Sequence, residues 1–268
     1  MTDPRLVPDK GRPGAWTVRI NGTEQSYVDP YDPTYLEYEY VQRVADVIDT
    51  SFPAGERITA VHVGGAGMTI PRYIAETRPT SGQIVFEPDA TLTAAVREVA
   101  PLPRQSGIKV RAEDGRTGLA GLHDAYADLT VVDAFSGAQV PAELSTVEWF
   151  GEVRRVTKPT GLLIMNLTDR APLTYTRRVV AGIATYFGPV VVGMAPGTLK
   201  GQRFGNVVVS AGAGVVAPVL IRRASAAVFP YRLLDGLELD RWLGGARCFP
   251  DDAAEPSPLP FSGLTTFV

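Results

Sequence analysis

The chain has 268 residues, of which 45% are hydrophobic and 21% are charged. These values are typical of globular proteins and exclude a chain that is disordered throughout. The formal net charge of -3 gives no electrostatic reason to expect nucleic acid or an anionic membrane as a partner, so we expect a small-molecule partner.

One cysteine, Cys248, and two histidines are too few for an internal disulfide or for a metal site built from these residues. We therefore expect no metal, and the single cysteine agrees with a reducing cytoplasm. The first ten residues lack the apolar core of a signal peptide, and the longest apolar stretch, residues 207–221, is interrupted by polar and small residues. Together these features predict a cytoplasmic protein that does not cross a membrane.

The first predicted element is a β-hairpin. Residues 16–20 alternate in the manner of a strand, the Asn-Gly pair at 21–22 is a strong hairpin-turn signal, and residues 23–28 return as a second strand. Thr34 follows a Pro-containing break and can cap a helix that runs through residues 35–48 with apolar side chains at helical spacing. That helix leads directly to the first strand of the main sheet.

A glycine-rich turn between a strand and a helix follows. A β-branched run at residues 58–63 enters the Gly-Gly-Ala-Gly sequence at 64–67, and residues 68–74 leave it with helical spacing. Glycine lets the backbone of such a turn approach a ligand closely. Glu87 lies about twenty positions further on, where a carboxylate can accept hydrogen bonds from both hydroxyls of a ribose. The pattern predicts half of a nucleotide-binding βαβ unit.

Beyond this turn strands and helices alternate, which predicts an α/β fold with a doubly wound, mostly parallel sheet. Further strands are predicted at residues 84–87, 108–112, 127–133 and 162–167, and helices at 89–99, 145–157 and 173–187. Residues 189–194 and 206–210 are predicted to pair as closing antiparallel strands. After residue 213 we expect one helix, over residues 232–243, and an irregular Pro-rich tail from residue 250.

Four consecutive strands end in groups that can bind a ligand: the glycine turn, Glu87, Asp114 and Asp133. In open parallel sheets, ligands bind outside the carboxyl ends of the strands. Each acid also has a structural interpretation, because Glu87 can cap a helix, Asp114 can form a turn and Asp133 can anchor a loop. Their shared position at one edge of the sheet favours a binding site.

These residues, in this order, resemble the spermidine synthase family of aminopropyltransferases, which has a methyltransferase-type Rossmann fold. The resemblance covers residues 16–212. It includes Gln25, which matches the glutamine of the family's Leu-Asp-Gly-x-x-Gln hairpin, and residues 35–37, which are similar to its Tyr-His-Glu. The resemblance implies a seven-stranded sheet, a homodimer, and transfer of an aminopropyl group from decarboxylated S-adenosylmethionine to putrescine.

The resemblance also implies roles for individual residues. Asp133 would be the catalytic acid that faces the reacting amine. The residues implied to bind the donor are Gln25, Gly64, Gly65, Gly67, Glu87 and Asp114. Among these, Gln25 would touch the nucleoside thioether, Glu87 the ribose and Asp114 the adenine amino group. The residues implied to bind the acceptor are Tyr35, Glu37 and Ser136.

Three departures from the family pattern bear on the reaction. Gly67 stands where the family has the aspartate that holds the donor's ammonium, Ser136 replaces a second aspartate, and residues 194–197 lack the tyrosine of the family's Tyr-Pro-x-Gly. Losing two acids weakens binding of a diamine by roughly a few kcal/mol if both are desolvated, and it removes the electrostatic repulsion that an aspartate at position 67 would exert on the carboxylate of intact S-adenosylmethionine. Methyl transfer therefore competes with aminopropyl transfer as an interpretation.

We therefore expect a transferase that binds S-adenosylmethionine or its decarboxylated form and transfers a methyl or aminopropyl group to a small amine or other small acceptor. The alternatives are a true polyamine aminopropyltransferase with a remodelled acceptor site, and a catalytically silent nucleoside-binding or interaction protein. The expected organisation is a hairpin appendage over residues 1–30, a Rossmann-like domain over 31–212, and a C-terminal helix and tail over 213–268. The sequence does not identify the acceptor.

Overall fold

The computed structural model describes residues 3–20 and 22–260. Asn21, which belongs to the predicted hairpin turn, and residues 261–268 of the predicted tail lie outside the described residues.

The N-terminal part of the chain forms a small antiparallel sheet in the order β1-β2-β3. Its strands are Leu6–Pro8 (β1), Trp16–Ile20 (β2) and Thr23–Val28 (β3). The predicted hairpin is therefore confirmed by β2 and β3, while β1 is an additional strand whose three residues are too few to give a sequence pattern. This sheet packs on the main body through Leu6 and Val18, which contact Leu92 and Val96.

The main sheet has eight strands in the order β11-β9-β10-β8-β7-β4-β5-β6. They are Thr59–Val63 (β4), Gly82–Phe86 (β5), Ile108–Arg111 (β6), Ala127–Val132 (β7), Thr157–Asp169 (β8), Val190–Met194 (β9), Gly205–Gly212 (β10) and Arg232–Leu234 (β11). The strands β4 to β8 run parallel to one another, and β9, β10 and β11 pair antiparallel. The mostly parallel α/β sheet is as predicted, with one strand more than seven.

The eighth strand corrects the prediction for the C-terminal part. The expected helix over residues 232–243 begins only at Gly236, because residues 232–234 pair with β9 along the open edge of the sheet. β11 therefore belongs to the main sheet, although it lies in the segment separated in the sequence analysis at residue 213. The domain boundaries themselves stay a prediction.

Nine α-helices surround the main sheet within the described ranges. They are Glu39–Ser51 (α1), Thr69–Thr77 (α2), Ala90–Val99 (α3), Gly115–Ala120 (α4), Val147–Val156 (α5), Thr174–Tyr186 (α6), Pro196–Leu199 (α7), Ala217–Ala226 (α8) and Gly236–Leu243 (α9). Short 3-10 turns lie at Ala142–Leu144 and Asp251–Ala253. None of these helices is long and apolar enough to cross a membrane.

The helix predicted to be capped by Thr34 and to begin at residue 35 begins four residues later, at Glu39, and its N-cap is Tyr38. Thr34 instead takes part in a local turn, in which its hydroxyl and its amide donate to the carboxylate of Asp32 at 2.6 and 3.2 Å. The helix α8 was not predicted.

Two hydrophobic clusters fill the layers on either side of the main sheet. One contains Phe86, Trp149 and Phe150 and lies between the sheet and α4, α5, α6 and α9. The other contains Ile48 and Leu129 and lies between the sheet and α1, α2 and α8. The strands are covered on both faces, which leaves their carboxyl ends as the open edge.

The packing of α4 against β5 predicts a sensitive glycine. A Cβ atom at Gly118 would lie 2.3 Å from the buried ring of Phe86, whereas one at Gly121 would meet its nearest neighbour at 3.6 Å. We expect Gly118→Ala to lower the free energy of unfolding by about 1–3 kcal/mol through overpacking. The control Gly121→Ala should change it by less than about 1 kcal/mol. Urea denaturation measures both, and equal values would contradict the described packing.

Candidate functional site

A cavity of about 440 Å³ opens at the carboxyl ends of β4, β5, β6 and β7. Its volume lies in the range of about 300–1,000 Å³ that is usual for small-molecule sites. The residues that line it at these strand ends are Gly64, Gly65, Ala66, Glu87, Asp114 and Asp133. The structure therefore brings together at one cavity the glycine turn and the three acids that the sequence placed at one edge. Their roles toward a ligand stay predictions.

Gly64 fixes the distance between the glycine turn and Asp133. Its φ is +88°, and an added Cβ would lie 2.2 Å from the carbonyl oxygen of Asp133. Only glycine combines this backbone conformation with such a close approach. The turn after β4 and the chain after β7 consequently lie against each other at the cavity.

The carboxylate of Glu87 binds the backbone of the glycine turn. Its Oε2 accepts hydrogen bonds from the amides of Gly65 and Ala66 at 3.0 and 3.1 Å, and its Oε1 accepts from the amide of Asp89 at 3.0 Å. The carboxylate therefore organises the turn and also lines the cavity. Its role toward a ribose stays a prediction, and its bonds to the turn are a structural role other than the helix cap that the sequence suggested.

Asp133 lies at the centre of a polar network. Its Oδ1 accepts from Nδ2 of Asn166 at 2.9 Å, its Oδ2 accepts from the hydroxyl of Tyr40 at 3.4 Å, and Asn206 donates to Asn166 at 3.1 Å. Burial raises the pKa of Asp133 to about 6, although the bonds from Asn166 and Tyr40 act in the opposite direction. A carboxyl group with this pKa can gain and lose a proton near neutral pH.

The loop after Asp133 forms one wall of the cavity, and we call residues 134–141 the lid. Phe135, Ser136 and Gly137 line the cavity, and Ser136 is exposed. Nε2 of Gln25 donates to the carbonyl of Gly137 at 2.8 Å. Gln25 therefore lies at the cavity, as predicted, and ties the lid to the N-terminal sheet.

Asp114 lies at the rim of the cavity. It is the N-cap of α4, and its carboxylate accepts from the amide of Thr117 at 3.0 Å and from the hydroxyl of Thr117 at 2.6 Å. These two hydrogen bonds lower the pKa of Asp114, the hydroxyl more than the amide. The capping role and a place beside a ligand are compatible, because the residue also lines the cavity.

The structure places Gly67 away from the cavity wall. A Cβ at this position would approach Oγ of Ser26 at 2.7 Å and Cγ2 of Val18 at 3.5 Å, so the residue faces the small sheet. The hydroxyls of Ser26 and Thr69, 2.9 Å apart, line the cavity there instead. Ser26 therefore occupies the space beside Gly67, and the electrostatic effect expected from the loss of the aspartate stays a prediction.

Tyr35 and Glu37 also lie outside the cavity lining. The hydroxyl of Tyr35 donates to Glu37 at 2.7 Å, and Arg12 stacks on the Tyr35 ring at 3.9 Å from its centroid. Both residues precede α1. Tyr38 and Tyr40, whose rings stack 6.2 Å apart, occupy the corresponding place instead.

Tyr38 and Tyr40 take part in a smaller pocket beside the main cavity. Its lining residues are Glu24, Gln25, Tyr38, Tyr40, Phe135, Asn166 and Asn206. Sequence reasoning missed both asparagines, because only the antiparallel pairing of β10 with β8 places Asn206 beside Asn166. The pocket adjoins the main cavity through Gln25, Tyr40 and Phe135, which line both.

The charges that line the main cavity are of one sign. In the described part of the chain they are Glu87, Asp89, Asp114, Asp133 and Glu143, without any lysine or arginine. Asp89 is paired with Arg5 at 2.7 Å. His62 also lines the cavity, and burial lowers its pKa to about 4, so this imidazole is neutral at physiological pH. The cavity therefore suits a cationic ligand.

His62 is held in one tautomer. Nε2 of Gln83 donates to the carbonyl of Pro71 at 2.9 Å, which directs Oε1 of Gln83 toward Nε2 of His62, also 2.9 Å away. His62 therefore carries its proton on Nε2. Within the described residues, no group of three or more His, Cys, Asp or Glu side chains is arranged to hold a metal ion.

Comparison with known sequences gives partial matches. No family model matches the chain. A polyamine aminopropyltransferase of Vibrio vulnificus is 27% identical over 149 residues, which are 55% of this chain and 48% of that protein. A probable polyamine aminopropyl transferase of Bifidobacterium longum is 30% identical over 109 residues, which are 41% of this chain and 24% of that protein. These matches span less than half the length of either relative.

Comparison with solved structures covers more of the chain. A probable spermidine synthase from Corynebacterium glutamicum matches with a TM-score of 0.85 and 28% identity over 95% of each chain. Human methyltransferase-like protein 13, solved with SAH, matches with a TM-score of 0.56 and 18% identity over 79% of this chain and 93% of that one. The human protein is similar in fold alone.

The raised pKa of Asp133 predicts how its replacement acts on stability. Because this pKa is higher in the folded protein than the ordinary 3.8, the contribution of Asp133 to the free energy of unfolding is full below pH 3.8 and is lost as the pH rises through about 6. An asparagine side chain at this position would not ionise. As the pH rises from 4 to 7, we therefore expect the free energy of unfolding of Asp133→Asn to increase by about 1–2 kcal/mol relative to that of the wild type. This value is reduced to allow for the partial exposure of the side chain.

Urea denaturation at a series of pH values measures this difference. The control is Asp252→Asn, an exposed carboxylate of the C-terminal part, which should shift the free energy of unfolding by less than about 0.5 kcal/mol at every pH. A flat difference for Asp133→Asn would contradict the burial of this carboxyl group.

Proposed function

We propose that this chain, which is similar in sequence to polyamine aminopropyltransferases and in structure to a probable spermidine synthase, is a member of the spermidine synthase family and transfers an aminopropyl group from decarboxylated S-adenosylmethionine to a small amine. The observation that carries this proposal is the lining of the main cavity, in which the described charged residues are all acids. The homodimer and the cytoplasmic location expected from the sequence are part of the same proposal.

The charge of the lining bears on the choice between the two donors. Decarboxylated S-adenosylmethionine carries a sulfonium and an ammonium, whereas the intact compound adds a carboxylate. A carboxylate in this cavity would meet Glu87, Asp114 and Asp133 without a lysine or arginine from the described lining. Since like charges repel strongly where water is partly excluded, the lining favours the doubly cationic donor.

Hydroxyl groups supply a contact for the donor's ammonium. The Thr69 hydroxyl donates to the carbonyl of Tyr27 at 2.6 Å, so the Ser26 hydroxyl is the donor in the contact with Thr69. The remaining lone pairs of Ser26 Oγ are acceptors, which suit an ammonium and not a carboxylate. Ser26 thus takes the part of the family's aspartate, beside the turn where Gly67 stands.

The transfer step uses Asp133. The amine nitrogen attacks the carbon attached to sulfur, a C–N bond forms, and the C–S bond breaks with its electron pair moving to sulfur, which leaves neutral methylthioadenosine. The carboxylate of Asp133 accepts the proton that the nitrogen loses. A pKa of about 6 keeps Asp133 mostly ionised at neutral pH while its conjugate acid stays close to the working pH. Asn166 and Tyr40 hold the carboxylate in place.

Donor selectivity tests the proposal directly. We expect calorimetry to show that decarboxylated S-adenosylmethionine binds at least about tenfold more tightly than the intact compound, because only the latter brings a negative charge into the cavity. Equal affinities, or tighter binding of the intact donor, would favour methyl transfer. Turnover with putrescine and other small amines then identifies the acceptor. Binding without turnover would indicate a silent nucleoside-binding protein.

Replacing Asp133 should separate catalysis from binding. We expect Asp133→Asn to lower kcat by about 10²–10⁴-fold, while methylthioadenosine binds within about threefold of the wild type, because only proton acceptance is lost. Wild-type kcat/KM should rise with pH through about 6 as Asp133 ionises. The matched control is Asp128→Asn, an aspartate of β7 that pairs with Lys158 at 2.7 Å and does not line the cavity.

A control variant that loses as much activity as Asp133→Asn would contradict the assignment. So would an Asp133→Asn protein that retains wild-type kcat.

A further inference from the structure

The C-terminal segment of the described chain lies against the cavity wall. We call residues 249–260 the strap. Ser257 of this strap is wholly buried, with 0% of its surface exposed, although serine is usually found at the surface. The sequence predicted this region to be irregular and gave it no role.

Ser257 binds the lid through three hydrogen bonds. The amide of Val140 donates to Oγ of Ser257 at 2.9 Å, and the amide of Ser257 donates to the carbonyl of Val140 at 3.2 Å. Nε2 of Gln139 donates to the carbonyl of Ser257. The Ser257 hydroxyl also lies 3.1 Å from the hydroxyl of Thr168 at the end of β8. One buried hydroxyl therefore joins the lid to the main sheet.

The strap is itself anchored at a second point. Asp251 accepts from Nη2 of Arg116 at 2.5 Å and from the hydroxyl of Thr146 at 2.6 Å. The carbonyl of Phe249 accepts from the amide of Val147 at 2.9 Å, which attaches the strap to the start of α5. The strap thus has fixed points before Ser257 that do not involve the lid.

The lid is also held from the opposite side. Gln25 of β3 binds the carbonyl of Gly137, and the amide of Ser136 donates to the carbonyl of Gln139 at 2.9 Å. The lid is therefore suspended between the N-terminal sheet and the strap, with Phe135, Ser136 and Gly137 facing the cavity between these two attachments.

We propose that Ser257 is a positioning residue, which holds the lid over the main cavity and thereby raises the affinity for the adenosyl ligand without touching the reacting atoms. Its effect on the lid follows from the contacts above, and its effect on affinity rests on the proposed function. A lid that is already in place loses less conformational freedom when a ligand binds beneath it. The role should therefore appear in Kd and KM, and not in kcat.

Hydrogen exchange on the ligand-free protein tests the first part. We expect Ser257→Ala to increase exchange at the Val140 amide about tenfold or more, because this amide loses its buried acceptor, while amides of β4 keep their wild-type rates. Gln139→Ala, which removes a lid-to-strap bond from the other side, should loosen the same lid peptide. The matched control is Ser225→Ala on the exposed part of α8, which should change neither region.

Binding and kinetics test the second part. In Ser257→Ala we expect the Kd for methylthioadenosine and the KM for the donor to rise about five- to twentyfold, with kcat within about twofold of the wild type, because the lid must then be ordered on binding. Ser257→Thr, which keeps the hydroxyl, should restore part of the affinity. Unchanged lid exchange, faster exchange that extends equally to β4, or loosened exchange with an unchanged Kd would each overturn the proposal.

The two proposals fail in different ways. If the wild type binds no adenosyl compound while the lid loosens in Ser257→Ala, the proposed function is lost and the positioning of the lid by Ser257 is supported. If the wild type binds and turns over but the lid is unaffected, the proposed function stands and the role of Ser257 is refuted.

Discussion

The close approach of Gly64 to the backbone of Asp133 is the constraint on which the site depends. It requires a residue without Cβ and with positive φ, and it brings the ends of β4 and β7 into contact. Because these ends meet, the glycine turn and the carboxylate of Asp133 border one cavity. The amide of Gly65 in this turn is bound by the carboxylate of Glu87. A side chain at position 64 would push the ends of β4 and β7 apart and disrupt the cavity between them.

Partial burial of the charged carboxylate of Asp133 lowers the stability of the fold. Asp133 is kept half-buried beside Asn166 and Tyr40, and its pKa is raised because neither neighbour carries a charge that would offset the loss of water. A positively charged neighbour would stabilise the fold but would also hold the carboxylate in its ionised form and compete for a cationic ligand. The neutral network is the arrangement that keeps the group both oriented and responsive to protons.

Local patterns in the sequence were sufficient for much of the fold. The β-branched run before the glycines, the alternation of residues 16–20 and the spacing of strands and helices each reflect interactions between near neighbours, so the α/β sheet and the hairpin were predictable. The three acids were predictable as a set because parallel strands expose their carboxyl ends together. The eighth strand was not, since residues 232–234 become a strand only by pairing with β9.

The residues that the sequence did not reveal depend on contacts between distant segments. Asn206 reaches Asn166 through the register of β10 on β8, and Ser257 meets Val140 across more than a hundred residues. Tyr38 and Tyr40, and not Tyr35, line the smaller pocket, and they do so together with residues of β3, β8 and β10 that are distant in the sequence. The orientation of Gly67 toward Ser26 likewise arises only from the docking of the small sheet.

Electrostatic attraction also decides what happens once the donor has reacted. On the proposed function, the sulfonium that the acidic lining attracts becomes an uncharged thioether in the same step that forms the new C–N bond. The reaction therefore removes the positive charge that attracted the donor to the cavity. The product, methylthioadenosine, is bound only through the weaker contacts of its adenosine part. Release of product is favoured as a result, because the uncharged thioether competes poorly with a new molecule of the cationic donor for the acidic cavity.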